Sequence, residues 1–362
     1  MSAQPRRRSI LLAAGAATAA SAVGAVGAVP AAAAPRPDRP LVIGHRGAAG
    51  WRPEHTAAAY TYAVQTGADW IEPDLVPTKD HVLLVRHENE ISGTTDVAKH
   101  PEFADRRTTK TVDAKPVTGW FTEDFTLAEL KTLRAVERLP LIRNRNTVFD
   151  GREPVMTFEE VVKLARELSR RYGRRIAVFP ETKHPTYFRS IGLPLEPELA
   201  RIVRRYKLGA DDCVVQSFEP SSLAAFAKER LRLPLWQALG TSGAPYDLVA
   251  AGDPTTYKDM MTPEGLRKIA RYADWIGPDK SSVVEPFTLL ADAHKAGLKV
   301  GAYTFRAENQ YLPAQFRRGT DPNAFGDAFA EYALHFGRGV DAVVTDYPDI
   351  AVMARDAADA GA

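Results

Sequence analysis

The feature that most constrains the fold is a regular alternation along the chain. Short runs rich in Val, Ile and aromatic residues alternate with longer segments of helical period. This order is typical of a parallel α/β sheet or barrel. The strand candidates are residues 41–46, 70–76, 82–87, 176–183, 213–218, 235–239, 275–278, 300–305 and 342–346. A closed (β/α)8 barrel needs eight strands, so one of these nine is expected to lie outside the barrel or to pair unusually, and the pattern does not say which.

Helix starts and one long excursion complete this outline. Thr157 and Glu160 have the spacing of a capping box ahead of an apolar stripe, and Thr126 and Glu129 repeat that spacing, so we predict helices there. The segment from about 89 to 150 is polar, basic and weakly periodic, which favours an insertion at a binding face. Because it comes after the run that ends in His87, we expect it to overhang the pocket. The irregular stretch 240–262 is the candidate for the opposite wall.

The first residues resemble a signal for export. Arg7 and Arg8 precede a run of Ala, Gly and Val that continues to about Ala34, which is typical of a bacterial twin-arginine signal. We therefore predict a cleaved signal over 1–34 and a barrel domain over 35–362. The alternative is a transmembrane anchor, but Ala and Gly insert poorly into bilayers. We expect a secreted or periplasmic protein that engages the twin-arginine export machinery before cleavage and keeps no stable membrane anchor.

Charge and cysteine content narrow the class of protein further. The chain has 47 Lys and Arg against 45 Asp and Glu, and no basic stripe, which argues against nucleic acid as a partner. Its single cysteine, Cys213, lies in an apolar run, so we expect a buried strand residue and no disulfide. Stability must then come from a large core, which a chain of this length can form.

Carboxylates lie at the ends of two of the predicted strands. Glu72 and Asp74 are two residues apart, as are Glu181 and Lys183, and alternation in a strand directs residues i and i+2 to the same face. Three carboxylates facing one barrel mouth repel one another unless a cation compensates them. Oxygen ligands without a nearby cysteine favour a hard ion, Ca²⁺ or Mg²⁺, over Zn²⁺. The alternative is that they are ordinary strand-end residues paired to surface cations.

Two histidines complete the candidate chemistry. His45 and His87 each end an apolar run, and a histidine pair can divide the roles of general base and general acid. Arg46 and Lys183 are suited to neutralising charge on a phosphate. Of the other histidines, His55, His184 and His294 do not stand out from structural residues, and His81, His100 and His335 are expected at the surface.

The chain resembles a known family, the glycerophosphodiester phosphodiesterases, and more closely their periplasmic bacterial branch. The resemblance rests on segments in family order across nearly the whole mature chain: HRGAAGWRPEHT from His45, IEPDLVPTKD from Ile71, VRHE from Val85, TTDVA from Thr94, DFTLAELKTL from Asp124, FPETK from Phe179, QSF from Gln216, IGPD from Ile276, AYTFR from Ala302 and TDYPD from Thr345. It implies a TIM (β/α)8 barrel of the phosphatidylinositol-phosphodiesterase-like type, with an inserted subdomain after the third strand. Two positions depart from the usual pattern: Glu88 stands where the family usually has aspartate, and His55 where much of it has asparagine.

The resemblance also implies a role for each candidate residue. It implies metal ligands at Glu72, Asp74 and Glu181, acid/base catalysis by His45 and His87, phosphate contacts from Arg46 and Lys183, a carboxylate beside metal and substrate at Glu54, and pocket-lining roles for Gln216 and Tyr303. One divalent metal is expected, with Ca²⁺ ranked first and Mg²⁺ second.

The activity expected is hydrolysis of small glycerophosphodiesters, such as glycerophosphocholine, to sn-glycerol 3-phosphate and an alcohol. A second interpretation keeps the chemistry and changes the substrate to a polymeric glycerophosphate such as teichoic acid, or to a lysophospholipid. A different class is a protein that binds glycerophosphodiesters without turning them over. The His45 and His87 pair argues against that class, because binding alone needs positive charge rather than two titratable groups.

Overall fold

The structure, a computed structural model, describes residues 39–284 and 288–360. The predicted export signal lies outside these residues. Within them, no helix is both long enough and apolar enough to cross a membrane.

Thirteen strands and thirteen α-helices are assigned in the described ranges. The strands are β1 (Leu41–His45), β2 (Trp70–Glu72), β3 (Asp74–Pro77), β4 (Leu83–Val85), β5 (Thr108–Val112), β6 (Lys115–Gly119), β7 (Ala177–Val178), β8 (Glu181–Thr182), β9 (Val215–Ser217), β10 (Leu235–Leu239), β11 (Trp275–Pro278), β12 (Lys299–Phe305) and β13 (Ala342–Thr345). The α-helices are α1 (Ala57–Gln65), α2 (Leu127–Leu130), α3 (Phe158–Tyr172), α4 (Pro185–Ser190), α5 (Leu195–Tyr206), α6 (Pro220–Ala227), α7 (Tyr246–Ala250), α8 (Tyr257–Met260), α9 (Pro263–Ile269), α10 (Lys280–Val284), α11 (Thr288–Lys295), α12 (Ala328–Arg338) and α13 (Pro348–Ala360).

Eight barrel strands emerge once two interruptions are recognised. The strands β2 and β3 are halves of one barrel strand that is broken at Pro73, and β7 and β8 are halves of another, broken at Phe179 and Pro180. Proline has no N–H to give to the ladder, so the two runs predicted as continuous strands are split. Parallel pairing then runs around the barrel in chain order, from β1 to β13, and β13 pairs with β1 to close it. The (β/α)8 barrel expected from the alternating pattern is present.

Of the nine strand candidates, the run 82–87 is the one that lies outside the barrel. Its structured part, β4, pairs antiparallel with β3, with Val85 opposite Leu75, and forms a hairpin outside the barrel. This third strand candidate is therefore not the third barrel strand, and the long excursion after it lies between the second and third barrel strands. The hairpin also returns the chain towards the mouth, because the Arg86 amide donates to the Asp74 carbonyl at 3.0 Å.

The long excursion and the helix after it begin with the predicted caps. Residues 88–157 contain the β5–β6 hairpin, α2 and four short 3₁₀ turns at Val97–Lys99, Pro101–Arg106, Thr122–Asp124 and Asn144–Phe149. Thr126 and Thr157 each accept from the amide three residues on, while Glu129 and Glu160 reach back to the cap amides, so both capping boxes are confirmed. In α3, the buried face of Val161, Val162, Ala165 and Leu168 packs in the core.

The barrel interior is filled by aromatic side chains. The Trp236 and Trp275 rings stack at 5.0 Å between centroids, and the Phe179 ring meets Trp236 edge-on at 4.6 Å. The Trp236 indole needs a neighbour without a side chain, since a Cβ at Gly301 would lie only 1.8 Å from its ring. Cys213 is fully buried, as expected. This packed interior leaves the carboxyl ends of the strands as the open mouth, where side chains can meet a ligand.

Candidate active site

Three carboxylates meet at the carboxyl ends of the second and third barrel strands. Strand register places Asp74 beside Glu181 and His45 beside Glu72. Ligand oxygens of Glu72, Asp74 and Glu181 all lie within 4.8 Å of one another, and all three residues are buried. The predicted metal-ligand set is therefore brought together, although Pro73 and Pro180 interrupt both strands.

The pKa values of the three carboxylates are shifted in different directions. Burial, together with the charges of Asp74 and Glu181, raises the pKa of Glu72 well above its usual value. Burial also raises the pKa of Glu181 to about 7, despite the neighbouring Lys183. Burial alone would raise the pKa of Asp74 too, but the hydrogen bond from His55 and the charges of Lys183 and Arg46 hold it well below the usual range. The three groups together thus oppose full ionisation unless a cation is added.

His45, at the end of β1, is held by a carboxylate from the end of β13. Its Nδ1 donates to Asp346 Oδ1 at 2.5 Å, and its Nε2 lies 3.8 Å from Glu72 Oε2. Because the carboxylate can only accept, Nδ1 carries the proton and Nε2 is left with a lone pair facing the cavity. Burial and the charge of Arg46 lower the pKa of His45 to about 4, against the opposing effect of Asp346. His45 is thus neutral at neutral pH, and its ring orientation is fixed by Asp346.

Asp346 is itself held by two arginines, neither of which the sequence identified. Its Oδ2 accepts from Arg143 Nη2 at 2.6 Å and from Arg306 Nε at 2.9 Å. Asp346 ends the predicted strand 342–346, so the rule that placed the other carboxylates would have found it. Arg143 belongs to the segment 88–157 and is preceded by no periodic pattern, so the sequence contains no comparable signal for it.

His87 reaches the same cavity from the β3–β4 hairpin. Its Nε2 accepts from Lys183 Nζ at 3.1 Å, and its Nδ1 lies 2.7 Å from Glu88 Oε1, although this close approach lacks hydrogen-bond angles. Burial, with the charges of Arg46 and Lys183, lowers the pKa of His87 to about 3. Lys183 also donates to Glu181 Oε1 at 2.8 Å, which joins this histidine to the carboxylate cluster.

Glu88 also contacts another histidine, His184. His184 approaches Glu88 Oε2 at 3.0 Å through Nε2 and Asp113 Oδ2 at 2.6 Å through Nδ1. Burial alone would lower its pKa, but the hydrogen bonds with Asp113 and Glu88 raise it to about 9. His184 is therefore a cation between two carboxylates at neutral pH.

Arg46 sits in a tight left-handed turn directly after β1. Its φ is 57°, and Gly47 comes next at 91°, where a Cβ would lie 2.6 Å from the Ala59 backbone. Only glycine fits there, and the turn aims the Arg46 guanidinium at the cluster. Its Nη1 donates to Glu54 Oε2 at 2.9 Å, and its Nε lies 3.2 Å from Asp74 Oδ2. Arg138, from the segment 88–157, also donates to Glu54 Oε2, at 2.8 Å.

Two further histidines are buried, and one of them, His335, differs from the sequence-based expectation. His55 is fully buried, with Nε2 3.0 Å from Asp74 Oδ2 and Nδ1 2.8 Å from the Tyr60 hydroxyl, so it fixes one of the clustered carboxylates. The expectation that His335 lies at the surface is wrong. It is 1% exposed and bonds the Glu331 and Lys280 carbonyls, because α12 turns this face towards the barrel.

A cavity of about 810 Å³ lies over these groups. Gln216 and Tyr303 both line it: the Gln216 amide donates to Glu72 Oε1 at 2.5 Å and the Tyr303 hydroxyl to the Leu239 carbonyl at 2.8 Å. Arg138 brings the segment 88–157 to its edge. The opposite wall is formed by residues of 279–284, 303–316 and 331–335, and not by 240–262 as expected. The stretch 240–262 contains α7 and α8, and none of its residues lines the cavity.

The mouth of this (β/α)8 barrel holds clustered carboxylates, two neutral histidines and two cations. Such a combination is suited to hydrolysis of a phosphoester. The model of the glycerophosphoryl diester phosphodiesterase family matches residues 45–350. Over 332 residues, the chain is 33% identical to the glycerophosphodiester phosphodiesterase GDPD6 of Arabidopsis thaliana, in an alignment that covers 85% of this chain and 84% of that protein. The chain therefore belongs to the glycerophosphoryl diester phosphodiesterase family and is an enzyme of that kind.

Solved structures agree on the fold. A structure from Silicibacter pomeroyi aligns with a TM-score of 0.63 and 21% identity, covering 90% of this chain and 95% of that one. A phosphodiesterase of Oleispira antarctica, solved in complex with the product sn-glycerol-3-phosphate, aligns with a TM-score of 0.56 and 18% identity, covering 88% of this chain and 97% of that one.

Proposed function

We propose that this enzyme hydrolyses small glycerophosphodiesters to sn-glycerol 3-phosphate and an alcohol, with a divalent metal and two-histidine acid/base catalysis. One observation carries the proposal: two oriented histidines, His45 and His87, share a single cavity with the carboxylate cluster. The sn-glycerol-3-phosphate bound by the Oleispira antarctica phosphodiesterase supports the product class. None of the relatives named for this chain favours a teichoic acid or lysophospholipid substrate.

The residues present fit a hard divalent cation. Glu72, Asp74 and Glu181 offer oxygens within 4.8 Å of one another, and Glu72 Oε2 is buried with no hydrogen-bond partner among the described residues. The raised pKa values of Glu72 and Glu181 support a need for positive charge in the cluster. Oxygen-only donors favour Ca²⁺, and then Mg²⁺. When bound, such an ion supplies Lewis-acid polarisation of a phosphate oxygen.

The chain's own residues supply charge stabilisation and proton transfer. Arg46 and Lys183 lie beside the cluster and lower the energy of the charge that builds on the phosphoryl oxygens. One neutral histidine accepts a proton from the attacking group, which is water or the glycerol 2-hydroxyl; in the second case the alcohol leaves as a cyclic phosphate forms, and water then opens that phosphate to sn-glycerol 3-phosphate. The other histidine gains a proton when the anionic diester is bound, and gives it to the departing alcohol oxygen.

The test is release of glycerol 3-phosphate from glycerophosphocholine by the purified protein, with and without EDTA, followed by add-back of Ca²⁺, Mg²⁺ or Zn²⁺. We expect activity that EDTA abolishes and one ion restores, with Ca²⁺ the most effective. A matched control is Glu264→Gln, which removes an exposed carboxylate paired with Lys268. Unlike Glu181→Gln, it should leave the ion requirement unchanged. Full activity in EDTA would contradict the metal, and no release with any ion from folded protein would contradict the reaction.

We also propose that the protein is exported through the twin-arginine route as a member of the secreted or periplasmic branch. The proposal rests on Arg7 and Arg8 ahead of the Ala-rich run. Replacing both with lysine should trap an uncleaved precursor inside a bacterial host, as measured by blotting of cell fractions. Unchanged export of the double variant would contradict this route.

A further inference from the structure

We infer that Arg143, supplied by the segment 88–157 rather than by a barrel strand, is a positioning residue that fixes His45 through Asp346. This inference rests on the proposed catalytic role of His45. It adds a residue that acts from outside the substrate cavity, since Arg143 is not among the described residues that line it.

Arg143 makes three kinds of contact with the barrel. Its Nη2 donates to Asp346 Oδ2 at 2.6 Å, its Nε to Glu308 Oε1 at 2.7 Å and its Nη1 to the Ala49 carbonyl at 3.0 Å. Its side chain is only 5% exposed, and its guanidinium lies 5.5 Å from the centre of the Tyr347 ring. Each of the three guanidinium nitrogens donates a hydrogen bond, which fixes the orientation of the planar group. The position of Arg143 is therefore fixed relative to the barrel.

Asp346 links the fixed guanidinium of Arg143 to the imidazole of His45. Its two oxygens are divided: Oδ2 faces Arg143 and Arg306, and Oδ1 faces His45 Nδ1 at 2.5 Å. Rotation of the carboxylate would break the contacts on both sides. Arg143 therefore holds Oδ1 where the imidazole must keep its proton on Nδ1 and present Nε2 to the cavity.

Glu308 makes the arrangement specific to arginine. It accepts from Arg143 Nε and, at 2.7 Å, from the Tyr347 hydroxyl, so it holds the guanidinium at a different nitrogen from the one that bonds Asp346. A lysine at position 143 keeps the charge but has one nitrogen, which cannot reach Glu308, Asp346 and the Ala49 carbonyl with the same planar geometry. We therefore expect Arg143→Lys to recover part of the function rather than all of it.

A purely structural role is the competing explanation, because the same contacts also fasten the segment 88–157 to the barrel. A double-mutant cycle separates the two roles. If Arg143 acts through His45, its loss matters only while His45 is present. If it merely stabilises the fold, its loss lowers the rate by the same factor in either background.

The experiment measures kcat and KM for glycerophosphocholine in Arg143→Met and Arg143→Lys, each alone and combined with His45→Ala. We expect Arg143→Met to lower kcat by about 10- to 100-fold with KM within about twofold of wild type, and Arg143→Lys to lower it less. In the His45→Ala background, the further loss should be under about twofold. The control is Arg106→Met, which removes an arginine bonded to Glu129 and the Asp124 carbonyl, away from His45; its kcat should stay at the wild-type value.

Equal loss in the two backgrounds, unchanged kcat, or an effect confined to KM would each overturn the role of Arg143. If Arg143→Met does not fold, the Arg143→Lys arm decides by the same criterion. Failure of the proposed function gives a different result, because wild-type protein would then not release glycerol 3-phosphate, or His45→Ala would turn over normally.

Discussion

The two histidines that face the cavity have the same kind of partner in very different surroundings. In both, Nδ1 lies within 2.7 Å of a carboxylate oxygen, and His87 differs in that its Nε2 accepts from Lys183. Asp346, the partner of His45, is 2% exposed and held by two arginines, whereas Glu88, the partner of His87, is 50% exposed and held by His184. The ion pair of Glu88 with His184 lies near solvent and is screened, whereas the buried ion pairs of Asp346 with its two arginines are strongly held and costly to break. The buried side should therefore be rigid and sensitive to substitution, and the rim side more tolerant.

The largest expected effect is loss of either histidine itself. His45→Ala and His87→Ala should each lower turnover of glycerophosphocholine by about 10² to 10⁴ with little change in fold. Steady-state kinetics and thermal unfolding check this expectation, and His294→Ala, which removes a side chain that is 41% exposed, is the control. Near wild-type rates in either variant would remove that histidine from the mechanism.

Next in size is the difference between the two carboxylate partners. Asp346→Asn should lower kcat by about 10²-fold, because an amide can stabilise the wrong tautomer of a buried imidazole. Glu88→Gln should lower it by less than about tenfold, because water can replace a half-exposed partner. The measurement is kcat of the two variants under the same conditions. A larger loss from Glu88→Gln would reverse the comparison between buried and rim sides.

The smallest expected effect concerns stability at the rim. The pKa of His184 is raised to about 9 in the folded protein, above its unfolded value of about 6.5, so its contribution is full below about pH 6.5 and is lost as the pH rises through about 9. His184→Gln should lower the free energy of unfolding by about 1 kcal/mol at pH 6 and by less at pH 10. Urea unfolding at both pH values provides the measurement.

The matched control for this prediction is His294→Gln. His294 also pairs with a carboxylate, Asp341, but its side chain is 41% exposed. Its replacement should change stability by less than about 0.5 kcal/mol at either pH. A His184→Gln penalty that does not change with pH would contradict the charged state assigned to His184.

Sequence reasoning located the residues whose positions depend on strand periodicity. Glu72, Asp74 and Glu181 were placed together because parallel strands end at one edge, and His45 was placed there for the same reason. The capping boxes at Thr126 and Thr157 were readable because they are local patterns of four residues. Both kinds of inference depend only on neighbours in the chain or on one rule of topology.

The features that the sequence did not reveal depend on contacts between distant residues. Arg143 reaches Asp346 across 203 positions, and no local pattern marks it. The extra strand 82–87 looked like a barrel strand, since period and composition do not distinguish parallel from antiparallel pairing. His335 was misplaced because burial of a helix face depends on the elements that pack against it.

The measurement that tests the central claim most directly compares two leaving groups. His45→Ala and His87→Ala are assayed on glycerophosphocholine and on the corresponding glycerophospho-4-nitrophenol diester, whose leaving group needs no proton. If the two histidines act as one base and one acid, one variant should recover most of its rate on the nitrophenyl diester while the other stays impaired on both substrates. Equal impairment of both variants on both substrates would contradict a division of acid and base roles between His45 and His87.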